Sequence, residues 1–238
     1  MMDRFVITVD GLAGTGKTSL SKLLAARLGF VHLSTGMLYR AVGYLALKFK
    51  VPRGNDTELK QLVQSHSLQL ILSHSDEVQL LVDGADIQGH LYSPVVSEAT
   101  SEVAVHRPVR EALVESQRRA FPERNLVAEG RDMGTVIFPD ARIKFWISTD
   151  PEIKVRRRLE QILKKQPNLT QEERERISRD MAIEIHERDH RDQARGLAPT
   201  VKSSDMIEID NSYLPIEEAL NLMLSSVQSL YPDLVKHE

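Results

Sequence analysis

The stretch Gly11-Leu12-Ala13-Gly14-Thr15-Gly16-Lys17-Thr18 constrains this chain more than any other. It fits G-x-x-x-x-G-K-[ST] at every specified position, and its surroundings give the pattern meaning. Residues 5–9 before it are a β-branched and aromatic run of the buried-strand type. After it, Leu20, Leu23, Leu24 and Leu28 recur on one helical face, and Gly29 supplies a stop. A strand that feeds a glycine loop and then a helix N-terminus forms a phosphate cradle.

Each position has a physical task. Gly11, Gly14 and Gly16 let the backbone turn tightly, so that the N–H groups of the loop, with Leu12, Ala13 and Thr15, approach phosphate oxygens. The helix start adds the positive end of its dipole. Lys17 is a mobile point charge for the outer phosphates, and Thr18 offers a hydroxyl to a magnesium ion.

Five runs have strand character: 5–9, 30–33, 126–128, 143–147 and 206–209. Helical patterns separate several of them, at Lys17–Leu28, Gly36–Lys48, 103–119, Pro151–Lys165, 171–188 and 215–230. The alternation predicts an α/β fold, a five-stranded parallel sheet flanked by helices. One region breaks the rhythm. Leu68–Leu72 and Val78–Val82 lack helical periodicity, a turn-rich spacer lies between them, and Ile87 begins a third short run. A small antiparallel insertion at about 64–96, set as a lobe beside the main sheet, is expected.

Length and composition narrow the function. A chain of 238 residues suits one domain, 1–238. With a net charge of −3 it has no global basic field for nucleic acid. It has no cysteine, hence no disulfide framework or cysteine–zinc site. No secretory h-region or membrane-length apolar run is visible, so a cytoplasmic protein is expected.

Four further segments carry chemistry. Ser34-Thr35-Gly36-Met37-Leu38-Tyr39-Arg40 follows the second strand and so falls at the carboxyl edge of the sheet, where open α/β sheets bind ligands. Thr35 or Ser34 is placed to cap the next helix, and Arg40 is either a bidentate phosphate clamp or a surface arginine. Glu129-Gly130-Arg131-Asp132-Met133-Gly134-Thr135-Val136 follows the 126–128 strand at the same edge. Glu129 suits a water-bridged magnesium, Arg131 a second clamp, and Asp132 an acceptor for an amino group; an internal Arg–Asp pair is the alternative. Positions 188, 191, 192 and 195 share a helix face if the helix persists, with Asp192 orienting Arg188 and Arg195; a solvated salt-bridge face is the alternative. Finally, Arg156, Arg157 and Arg158 precede the helix-breaking polar stretch 164–168, giving a basic helical hairpin that suits phosphates. So many arginines exceed the needs of one nucleotide. Phosphoryl transfer between two phosphorylated substrates requires this, because it works by alignment and charge stabilisation.

With these segments assembled, the chain resembles the bacterial cytidylate kinases, nucleoside monophosphate kinases that pass the γ-phosphate of ATP to CMP or dCMP. The resemblance spans nearly the whole chain and is most specific at Gly130-Arg131-Asp132-Met133-Gly134-Thr135-Val136-Ile137-Phe138-Pro139-Asp140. Thr35-Gly36 with Tyr39-Arg40, Pro108 to Ala112, and Glu187-Arg188-Asp189 with Arg191-Asp192 and Arg195 also match.

The resemblance implies a P-loop kinase with a monophosphate-binding region at 36–120 and a helical lid at 155–172 bordered by Arg156 and Arg157, which would face ATP. It implies Lys17, Arg131 and Arg188 as catalytic residues and Mg2+ as the cofactor, bound through Thr18. Arg40, Arg131 and Arg195 match monophosphate-holding positions, and Thr35 lies in the same substrate motif. Ser101, Arg110 and Asp132 match cytosine-recognising positions; Arg188 and Asp192 match positions near the ribose and the transferring phosphate. The implied partners are ATP and CMP or dCMP, with no nucleic acid and no membrane, on a monomer. The chain departs from the family at Leu12-Ala13, at Thr18, and at Ser34 and Glu129, where an Asp often stands. A kinase for UMP or dTMP is the rival acceptor assignment. A GTPase-type regulatory module would need N-K-x-D, which is absent, and a nucleic-acid binder is opposed by the net charge.

Overall fold

The computed structural model describes residues 4–234. Strands β1 (Val6–Asp10), β2 (Val31–Ser34), β6 (Leu126–Glu129), β7 (Ile143–Ser148) and β8 (Ile207–Asp210) form one parallel sheet in the order β2-β6-β1-β7-β8. Every residue of β1 is buried, as a central strand covered on both faces requires. Its side chains alternate between two cores. Ile7 and Val9 join Val127, Phe145, Ile147 and Ile209 beneath helices α1 (Lys17–Leu28) and α8 (Ile216–Leu230). Val6 turns the other way, with Val31, Leu33, Leu126, Ala128 and Phe138.

A third core holds the region between β2 and β6. Here α2 (Gly36–Lys48), α3 (Asp56–Ser65), α4 (Pro94–Val103) and α5 (Arg107–Arg118) surround Leu38, Leu45, Leu59, Leu80, Leu91 and Leu113. On α2, Gly43 lies so close to α4 that a Cβ there would come within 2.8 Å of the Thr100 nitrogen. The small antiparallel sheet β3 (Leu68–Leu72), β4 (Val78–Val82) and β5 (Ala85–Asp86) is built into these cores. Leu80 and Val82 enter the helical one, and Leu70, Leu72 and Val78 pack against the β2 side of the main sheet. Helices α6 (Pro151–Lys165) and α7 (Gln171–Ala194) form a hairpin, with a capping box between Thr170 and Glu173 starting the second.

Some expected boundaries are corrected. The helix expected over 103–119 is α5, which starts only at Arg107, because Pro108 cannot donate a main-chain N–H and belongs to a first turn. Two helices were not anticipated: α3, capped by Asn55 through the Thr57 and Glu58 N–H groups, and α4, capped by Ser93 ahead of Pro94. The third insertion strand is Ala85–Asp86 rather than a run from Ile87, and α7 continues past 188 to Ala194. No helix among the described residues is long and apolar enough to cross a membrane.

Candidate active site

Parallel register brings three strand ends to one edge: Ser34 pairs with Glu129, Val9 with Glu129, and Asp10 with Trp146. The loop after β1 therefore meets the segments after β2 and β6. Gly11 has φ 150°, and a Cβ there would collide with the Ile147 carbonyl. Gly16 is left-handed at φ 79° and precedes the first turn of α1. The Lys17 side chain curls back under the loop, donating to the Leu12 carbonyl at 2.5 Å and approaching Thr15 Oγ1 at 3.3 Å. Burial pushes its ammonium well below the usual lysine range, and the Arg131 charge adds to this.

Glu129 collects hydroxyls. Its Oε1 accepts from Thr18 Oγ1 at 3.0 Å and from Ser34 Oγ at 2.5 Å. Thr35 stands at the start of α2 but does not cap it; its Oγ1 donates to the Glu129 carbonyl at 3.1 Å, so the expected cap is replaced by a tie between two strand ends. These are hard oxygen donors, which suit magnesium. Among the described residues no group of three or more His, Cys, Asp or Glu converges on a metal position, so phosphates and water would have to complete the shell.

Asp10 was not singled out from the sequence. It is fully buried and accepts from the Met133 and Gly134 N–H groups, both at 2.8 Å. Burial pushes its carboxyl up to about 7 against the pull of those bonds. Asp10 thereby fixes the single i→i+5 turn at Met133–Ile137 and, with it, Arg131 and Asp132. Asn211 was also missed; its Nδ2 donates to the Thr15 carbonyl at 2.8 Å, and Thr149 Oγ1 donates to its Oδ1 at 2.5 Å. A polar residue one position past a strand gives no signal for either contact.

The arginine-rich segments converge beyond the loop. Arg131 Nε donates to Asp192 Oδ2 at 2.8 Å, and the buried Arg195 donates to the Asp192 carbonyl at 3.0 Å and to Thr200 Oγ1 at 2.6 Å. Burial opposes ionisation of Asp192, but Arg131 and Arg195 outweigh it and hold the carboxyl below its usual range. Arg188 makes none of these bonds; burial, with Arg131 adjacent, lowers its guanidinium to about 10. Arg40 donates to the Leu91 carbonyl at 3.0 Å and to Ser97 Oγ at 2.9 Å while lying over the Tyr92 ring. Deeper in, Arg110 and Asp132 form a buried ion pair, each side chain 3% exposed. Beside them Ser101 Oγ and Arg110 Nε are buried without a hydrogen-bond partner among the described residues.

A single cavity of about 820 Å3 joins these groups. It is lined by Ala13 to Thr18 at one end and by Ser101, Arg110 and Asp132 at the other, with Thr35, Arg40, Glu129, Arg131, Arg188, Asp192 and Arg195 between. Gly11 and Leu12, expected in the cradle, are not among the lining residues. Arg156 and Arg157 also lie outside the lining. Arg156 is exposed and paired loosely with Glu160 at 3.9 Å, and Arg157 donates to the Asn211 and Ser212 carbonyls at 2.6 and 3.2 Å. Of the three successive arginines, Arg158 faces the cavity.

Known proteins carry the same sequence pattern. The profile described as cytidylate kinase matches residues 7–229. The cytidylate kinase of Haemophilus ducreyi is 35% identical over 226 residues, covering 95% of this chain and 97% of that protein. That of Pasteurella multocida is 36% identical over 230 residues, covering 96% and 97%. That of Citrifermentans bemidjiense is 34% identical over 224 residues, covering 94% and 92%.

Proposed function

The chain belongs to the cytidylate kinase family, and on that premise we propose that it transfers the γ-phosphate of ATP to CMP or dCMP, giving ADP and CDP or dCDP. The observation that carries this reading is the two-ended cavity: a phosphate loop at one end, and a buried Arg110–Asp132 pair beside an unpartnered Ser101 hydroxyl at the other.

In this reading the loop N–H groups from Gly14 to Thr18 cradle the donor phosphates, and Lys17, with one N–H donor kept on the Leu12 carbonyl, turns another toward them. A nucleotide phosphate is a stronger acceptor than a neutral carbonyl for a buried ammonium. Arg40, Arg131 and Arg195 grip the acceptor phosphate, Arg188 sits opposite the transferring group, and Asp192 keeps the arginines oriented. Such a site stabilises charge spread over the moving phosphoryl group. Magnesium, held by Thr18 and through water by Glu129, would supply further neutralisation of phosphate charge.

Base choice follows from donors and acceptors. Cytosine presents an N4 amino donor where uracil presents an O4 acceptor. The Asp132 carboxylate retains lone pairs beyond the one that Arg110 takes, so it can accept from N4 and repels O4. A polar site left unmatched discriminates strongly. Region 36–120 is the acceptor-binding part, and 155–172 is the lid that closes over both nucleotides and excludes water.

Initial rates with CMP, dCMP and UMP at fixed Mg·ATP test the reading. CMP and dCMP are expected to turn over far faster than UMP. Turnover of UMP equal to or better than both would overturn the base assignment.

A further inference from the structure

We propose that Asp189 is a positioning residue for Lys17, acting through the peptide unit that joins Leu12 to Ala13. The proposal rests on the reading of Lys17 as the donor-phosphate lysine.

That peptide is held from both sides. Its carbonyl accepts from Lys17 Nζ at 2.5 Å and from Thr15 Oγ1 at 3.2 Å. Its N–H, on Ala13, donates to Asp189 Oδ1 at 2.9 Å. The remaining Asp189 oxygen accepts from Lys154 Nζ at 2.8 Å, and the Lys154 side chain is only 3% exposed. Lys154 in turn packs its methylenes against Gly14, 3.7 Å from where a Cβ would stand. One carboxylate therefore bonds to both the phosphate loop and α6 from its place on α7, each oxygen with its own partner. Ala13 lines the cavity, whereas Asp189 and Lys154 stand behind it.

The loop needs such a restraint. Gly11 and Gly14, both at positive φ, flank Leu12 and Ala13, so the chain on either side of this peptide adds little restraint of its own and its bonding partners set where it sits. Rotation of the 12–13 peptide would swing the carbonyl away from Lys17 and point an N–H at its ammonium. Lys17 is buried beside the like charges of Arg131 and Arg188, so its place depends on the acceptors around it. Asp189 holds the N–H side and thereby keeps the carbonyl side aimed at Lys17. Because Asp189 directly follows Arg188 on α7, the same turn that presents the phosphate-facing arginine also sets the lysine.

Two near-isosteric replacements separate this role from a purely structural pin. Asp189→Asn keeps an acceptor for the Ala13 N–H, and Asp189→Leu removes it. Loss of alignment at this distance is expected to lower kcat of the leucine variant about 10- to 100-fold. KM for CMP should stay within about threefold, and the asparagine variant should recover most of the lost kcat. In a Lys17→Ala background, Asp189→Leu should leave the affinity for a non-hydrolysable ATP analogue unchanged, because the positioned group is gone. The proposal is overturned if the leucine variant keeps kcat within about twofold of wild type, or if asparagine is no better than leucine. It is also overturned if Asp189→Leu weakens analogue binding equally with and without Lys17. Should the leucine variant not fold, Asp189→Ala replaces it and is read the same way. Absence of CMP turnover by the wild-type enzyme would count against the proposed function alone; the analogue comparison would still decide the role of Asp189.

Discussion

The proposed donor end of the cavity takes its shape from eight consecutive residues, whereas the proposed acceptor end draws Arg40, Arg110, Asp132, Arg188 and Arg195 from three helices and two turns. In the proposed function the backbone supplies most of the recognition at the donor end, so side chains at Leu12 and Ala13 are free to differ from the family habit. At the acceptor end side chains supply it, and each is aimed by a different element. The first end depends on local φ values, the second on the whole fold. Substitutions should therefore act on the two ends in different kinetic terms.

The largest effect is expected at Lys17, the donor-end side chain to which the proposed function gives the transferring charge. Lys17→Ala should lower kcat on the order of 10²–10³ or more, as loss of one preorganised charge-stabilising group does. The fold and KM for CMP should be nearly unchanged. Single-turnover rates with Mg·ATP and CMP check this; an undiminished rate would break the assignment of the loop as the donor cradle.

A smaller and differently shaped effect is expected at the acceptor end. Asp132→Asn keeps the volume and removes the charge that Arg110 neutralises. Its amide can present a donor to O4 of uracil, so the ratio of kcat/KM for CMP over UMP should fall by about 10²-fold, mostly through loss of CMP turnover. KM for ATP should hold. A CMP-to-UMP ratio equal to wild type would place base selection elsewhere in the cavity.

The same contrast explains what the sequence disclosed. The loop at 11–18 is contiguous and its glycines are read directly, as are the five strand runs, each of which lies within two residues of its strand. Arg131, Asp132 and Asp192 were legible because they cluster after strands or along one helix face. Spacing could not say that Arg158, not Arg156, faces the cavity, because that depends on which face of α6 packs inward. Nor could it show that Thr35 would bond across to β6 instead of capping α2. The start of α4 was recoverable from Ser93-Pro94 and that of α5 from Pro108, signals that the expected helix over 103–119 passed over. The small sheet was correctly separated from the main one, but its packing into two cores reflects tertiary contacts that no local pattern carries.

Asp10 joins the two ends, since it closes β1 just before the donor loop and holds the turn that presents Arg131 and Asp132. Its effect falls on stability and not on turnover, as a change in how stability depends on pH. Its carboxyl titrates near 7 in the folded chain, raised chiefly by burial, against 3.8 when unperturbed. A raised folded value means that the folded state keeps a proton that the unfolded state has already released. The resulting stabilisation is complete below about pH 3.8, declines as pH rises, and is gone above about 7. Asp10→Asn cannot titrate, so the variant should lack this decline. The difference in unfolding free energy, wild type minus variant, should therefore fall steadily between pH 4 and 7 and level off beyond, as read from urea titrations across that range. A constant difference would mean that the carboxylate is ionised throughout, held by the Met133 and Gly134 N–H groups. The joint would then be an ordinary anionic clamp, as local in its electrostatics as the donor loop it adjoins.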